Sequence, residues 1–129
     1  MERDICMELV QRNNLQTNRK EQSMDIKEMQ AMQTELQEKY KDKWGGLSPE
    51  KAREKLLWLY GELGEVGDII KKQGDRRIME DDTIRSQFIE EMCDVLMYLN
   101  DVLLCYEITP EELETVYREK HQRNMERWK

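Results

Sequence analysis

Over residues 83–106 the chain sets Phe88, Met92, Val95, Leu99, Val102 and Tyr106 at intervals of three and four. Ile89, Leu96 and Leu103 widen that stripe on one side, and Cys93, Met97 and Leu104 carry it further. At about 100° per residue this is a helix that is apolar almost all round. Such a helix has to be covered on more than one face, so it demands other helices, or other copies of the chain, to pack against it. Two of its few acids, Glu91 and Asp94, stand at i and i+3, and Tyr98 and Asp101 continue the same line.

The rest of the sequence agrees with a helical fold. Only two prolines and six glycines occur in 129 residues, too few turn formers for an all-β chain with many hairpins. Residues 25–44 carry Ile26, Met29, Met32 (or Gln33), Leu36 and Tyr40 near one face, with Asp25 and Glu28 placed for a capping box. "GGLSP" ends that helix; Ser48 is placed to cap the next one and Pro49 to open it. The second helix is expected over 49–72, closed by Gly74, and a polar connection over 76–83 leads to the third. Thr109, Pro110 and Glu112 form a start signal for a fourth helix over 110–127. The expected fold is all-α, a four-helix-type bundle over 24–129 completed by oligomerisation. Residues 1–23 read as a polar arm with room for a short helix around 5–10.

Composition narrows the function. The net charge of −7 argues against binding a nucleic acid polymer, which needs Lys and Arg against phosphates. Three cysteines without a CxxC pair give neither a disulfide framework nor a zinc site. Cys93 and Cys105 read as small core residues, which fits a reducing cytoplasm. No apolar run has the length of a membrane span. A single histidine, His121, leaves no Glu-x-x-His pair for a di-iron bundle and argues against a nucleophilic triad. A GxxxxGK[ST] phosphate loop is also lacking.

The second helix holds the counterpart of the Glu91 and Asp94 pair. In "LYGELGEVGDIIKK", Glu62 and Glu65 border an apolar flank of Leu59, Leu63, Val66 and Ile70. Carboxylates at a core boundary are costly unless paired or bound to a cation. One such pair is commonplace on a solvated face; two pairs on facing helices, one within an almost wholly apolar helix, suit a hard divalent ion, Mg²⁺ or Mn²⁺. Gly61, Gly64 and Gly67 leave a strip without side chains, along which another helix or a ligand has room to approach the backbone.

"ELGEVGD", followed by "EEMCDVLMYLND", resembles the ExxE…ExxD signature of the MazG-like, all-α nucleotide pyrophosphohydrolases. The resemblance covers roughly 25–128. It implies a dimer or tetramer that uses Mg²⁺ to cleave a nucleoside triphosphate to monophosphate and pyrophosphate. Carried over by position, the metal ligands are Glu62, Glu65, Glu91 and Asp94. Glu65, farther round from the apolar stripe than Glu62, is assigned as the general base. "KHQRNMERW" resembles a segment that reaches the substrate, with Lys120, Asn124 and Arg127 as phosphate or sugar contacts. Tyr98 and Trp44 would lie against the base, or else serve in packing. Gly61 stands where relatives often carry a further acid. Phosphoribosyl-ATP or dUTP are alternative substrates within the same fold, and a non-catalytic helical oligomer is the alternative outside it.

Overall fold

The computed structural model describes residues 23–128, so the arm expected over 1–23 lies almost wholly outside the described residues. Those residues are all-helical, with no strand among them. The helices are α1 (Ile26–Lys39), α2 (Lys41–Trp44), α3 (Ala52–Gln73), α4 (Asp75–Glu80), α5 (Asp82–Cys105) and α6 (Pro110–Arg127), with a 3₁₀ turn at Pro49–Lys51 before α3.

Local signals set most boundaries. The Asp25 carboxylate accepts from the Glu28 N–H at 2.9 Å and opens α1. Gly45 and Gly46 take positive φ after α2, at 86° and 73°, where a side chain would be strained. Thr109 and Glu112 complete the expected capping box at α6, a feature that contributes about 1 kcal/mol. Two boundaries differ from expectation. The Ser48 side chain caps nothing; the chain enters α3 through the 3₁₀ turn. The polar connection after Gly74 is itself helical as α4, and Asp81 ends it by accepting from the Thr83 and Ile84 N–H groups to start α5. An Arg85 guanidinium bond to the Ile78 carbonyl, 3.3 Å long, ties α4 back onto α5.

The most extensive helix pair is α3 with α5. On α3 the covered positions are Ala52, Lys55, Leu59, Glu62, Val66, Ile69 and Gln73; on α5 a matching series runs Ile84, Phe88, Glu91, Val95, Tyr98, Val102 and Cys105, with Arg85, Asp94, Asn100, Asp101, Leu103 and Leu104 covered beside it. Both series alternate steps of three and four, the period of helices sharing a seam. Lys55 acts on Asp101, and Glu62 and Glu65 meet Glu91, so the two helices run antiparallel.

α1 packs on α5 and buries three amides. Gln30, Gln33 and Gln37 are buried while Met32 is half exposed. Of the expected stripe, Ile26, Met29 and Leu36 are partly covered and Gln33 rather than Met32 is buried; Gln30 and Gln37 join it, and Gln33 and Gln37 donate to the buried Asp101, which needs donors. α6 touches α1 alone among the helices.

The expectation that α5 is covered on several faces is not met within one chain. Ile89, Met92, Leu96, Met97 and Leu99 are exposed, as are Leu56, Leu57, Trp58 and Leu63 on α3. Cys105 is buried as expected, but Cys93 is exposed. The glycine strip is open too: a Cβ built on Gly61, Gly64 or Gly67 would meet nothing within 4 Å. Gly64→Ala is therefore expected to stabilise the chain by about 0.5–1 kcal/mol in urea melts. A loss of stability instead would mean that something outside the chain packs on that strip.

Candidate metal centre and adjoining cavity

Glu62 and Glu65 come from the middle of α3 and Glu91 from the middle of α5. Each offers a carboxylate oxygen, and these oxygens lie within 4.8 Å of one another. Glu62 and Glu91 are half-buried and Glu65 is exposed. The seam places the first two: a residue on it cannot turn to solvent without unpacking its helix. Glu62 Oε2 and Glu91 Oε2 are buried with no N–H or hydroxyl donor, so these acids have only one another as partners. Unpartnered buried acceptors are costly.

The electrostatics follow from that crowding. Glu91 is pushed up to about 7, first by hydrogen bonding with Glu65, then by its own desolvation and by Glu62. Two carboxyls can share such a bond only while one keeps a proton. Glu62 is raised by burial first, then by the charges of Glu65 and Asp94. Orphaned oxygens, mutual repulsion and an all-oxygen donor set are what a hard divalent cation would relieve, so the residues present fit Mg²⁺ or Mn²⁺.

Asp94, the fourth sequence-predicted ligand, is not in the tight group of three. It is half-buried and lines a neighbouring cavity of about 430 Å³ together with Trp44, Trp58 and Tyr98. Gln33, Gln37, Lys55 and Asp101 give this cavity its polar lining. Asp94 therefore joins the acids to the cavity. Tyr98 is pushed above its ordinary value by burial and then by Glu62, Asp101, Asp94 and Glu65, as expected of a phenol set between two groups of carboxylates.

The remaining sequence-predicted residues stand elsewhere. Lys120, Asn124 and Arg127 are exposed on α6, and none of them lines the cavity. Sequence reasoning assigned no role in the site to Gln33, Gln37, Lys55, Trp58 or Asp101. The available signals were the three-and-four spacing of Gln30, Gln33 and Gln37, and the position of Asp101 two helical turns after Asp94.

Comparison of the chain with family models, with curated proteins and with solved structures gave no match.

A carboxyl whose pKa rises on folding from 4.5 to about 7 holds its proton more tightly in the folded chain. Its contribution to stability is complete below the unfolded value and is lost as pH rises through 7. In EDTA, Glu91→Gln is expected to melt above the wild type at pH 8, with the gap closing by pH 5. Thermal denaturation at the two pH values checks this; a gap that is the same at both would place the strain elsewhere.

Proposed function

We propose that this chain is a Mg²⁺-dependent nucleotide pyrophosphohydrolase of the MazG-like kind, cleaving a nucleoside triphosphate to monophosphate and pyrophosphate. The observation that carries the reading is a juxtaposition. Three clustered carboxylates, two of them with a buried oxygen that no donor group serves, lie next to an aromatic-lined cavity, and Asp94 connects the two. The volume of about 430 Å³ is in the range of small-molecule sites. The sequence resemblance supports the same reading and fits nucleotide-pool house-cleaning as its role.

Glu62, Glu65, Glu91 and Asp94 would hold the cation. When bound, it would neutralise triphosphate charge and make a water more acidic. Glu65 is the most exposed of the clustered acids and would orient the attacking water and take its proton. Attack at the α-phosphorus breaks its bond to the bridging oxygen and releases pyrophosphate. Glu91 would give up its proton when the cation enters. Trp44, Trp58 and Tyr98 would hold the base by stacking.

A homodimer or homotetramer is part of the proposal. The many exposed apolar residues on α3 and α5 are what an interaction face would cover. Because α6 touches only α1, phosphate contacts from Lys120, Asn124 and Arg127 would be expected from a neighbouring copy. The placement of α6 is also what favours the second reading, a non-catalytic helical oligomer.

The test is pyrophosphate release from a panel of ribo- and deoxyribonucleoside triphosphates, with Mg²⁺ and with EDTA. Release is expected only with the metal, and Glu65→Gln should lower turnover by about 10²–10⁴-fold while leaving helicity intact. Wild-type rates in Glu91→Gln and Asp94→Asn would remove the site assignment. Silence across nucleoside triphosphates, and then with phosphoribosyl-ATP, would leave the non-catalytic reading. In size-exclusion chromatography the protein is expected to elute as a dimer or larger; a monomer at micromolar concentration would contradict the assembly.

A further inference from the structure

α5 and α6 follow one another through a short turn, yet they do not pack together. No Cα of α6 lies within 8 Å of a Cα of α5, so the two stand farther apart than paired helices, whose axes are about 8–10 Å apart. Between them runs a groove of about 1030 Å³, which the start of α1 also lines. Its apolar lining is Leu99 and Leu103 from α5, Leu113 and Tyr117 from α6, and Ile26 from α1. Leu99 and Leu103 are one helical turn apart, and so are Leu113 and Tyr117, so each helix offers the groove an apolar pair on one face. Leu99 is 41% exposed and Tyr117 72% exposed, an apolar channel that the described residues leave open.

The point where the chain enters indicates what fills that channel. Asp25 and Ile26, which line the groove, come directly after Ser23 and Met24, the first described residues. Residues 1–22 therefore join the molecule at the groove itself. Their sequence sets Ile5 and Leu9 four apart, with Cys6 and Val10 beside them, the same spacing as the apolar pairs on α5 and α6. Residues 11–24 separate Val10 from Asp25, and a tether of that length reaches up to about 45–50 Å. The α6 wall of the groove, Leu113 to Gln122, is only about 14 Å long. A short tether also holds its two ends at an effective concentration of millimolar order, above that of a free second copy at micromolar protein. Charge favours the same occupant. Residues 1–22 hold four acidic and four basic side chains, so they bring no net charge to a rim made of Asp25, Glu114, Arg118 and His121, in which Arg118 already pairs with Glu114 at 2.8 Å. The body of a second copy would bring the whole charge of −7.

We propose that residues 5–10 of the same chain seat in the groove between α5 and α6, with Ile5, Leu9 and Val10 against Leu99, Leu103 and Tyr117. The segment would supply the contact that the two helices lack, tying to α5 a helix that otherwise touches only α1. Lys120, Asn124 and Arg127 stand on α6, so the seated segment would set where those side chains are presented. The proposal is independent of the pyrophosphohydrolase reading, because no residue of the acid cluster lines this groove.

Two measurements on the full chain test this. In a sample mixing isotope-labelled and unlabelled copies, nuclear Overhauser contacts are expected from the Ile5, Leu9 or Val10 methyls to the Leu99 and Leu103 methyls or the Tyr117 ring, within one copy. Amide hydrogen exchange over 5–10 is expected to be about tenfold or more slower in the wild type than in Tyr117→Asp, which puts a charge in the groove. Tyr117 is largely exposed, and a change at such a position costs little unless something covers it. Leu9→Asp, made in the segment itself, should match Tyr117→Asp, and it decides the matter if Tyr117→Asp fails to fold. Equal exchange over 5–10 in the wild type and in Leu9→Asp would overturn the proposal. Contacts that run only between copies would overturn it too, since the occupant would then come from a second chain. So would contacts from 5–10 to another surface, or none at all.

Discussion

Repulsion between carboxylates on a packed seam is the constraint around which this chain is organised. The α3 and α5 helices meet along a three-and-four series of side chains, and in the middle of each series stands a glutamate, Glu62 on one side and Glu91 on the other. An apolar pair there would have given an ordinary helix interface. The acids weaken the interface at its centre, and the apolar contacts above and below, Leu59 and Val66 facing Phe88 and Val95 in the same seam, have to hold it closed. The pairing keeps the acids together, and the acids give the pairing its chemistry.

That arrangement explains how the two halves of the candidate site relate. Seam positions fix Glu62 and Glu91, while Glu65 and Asp94 sit one step off the seam, toward solvent and toward the cavity respectively. The cavity itself needs a third wall, which α1 and α2 supply. Trp44 reaches it from the short helix after the break at Tyr40, where the Tyr40 and Trp44 rings pack at a tilt of 33° with centroids 4.6 Å apart. Gln33 and Gln37 reach it from α1. A site assembled in this way uses helices from three separate stretches of the chain, and its polar floor lies deeper than its acidic mouth.

Much of this was legible in the sequence, and the remainder fails to show for identifiable reasons. Helix positions are set by local chemistry that sequence displays: Asp25, Gly74, Thr109 with Glu112, and the periodic stripes. The acid pairs were legible because charge inside an apolar helix is conspicuous. The helical nature of 75–80 was hidden because four of its six residues are charged and the two apolar ones, Ile78 and Met79, make no stripe, and its order comes from packing on α5. The burial of Gln30 and Gln37 on α1 was hidden because burial of an amide depends on partners elsewhere, as Gln37 depends on Asp101, 64 residues away. A rule that sends methionine inward and glutamine outward cannot anticipate a donor requirement. The exposure of Ile89, Met92 and Leu96 is a third case: periodicity says that a face is apolar but not which molecule covers it.

The amides on α1 have one further consequence. A helix that docks through methyl groups can slide, because one apolar contact resembles the next. Gln33 and Gln37 both bond to the same carboxylate, so α1 has a single setting along α5 in which Asp101 keeps its donors. A shift of one turn would strand a buried charge, and a buried charge without donors is among the most expensive defects a core can hold. Polar groups at this contact thus act as a ruler. They fix the wall of the cavity to the rest of the site, at a resolution that close packing alone does not provide.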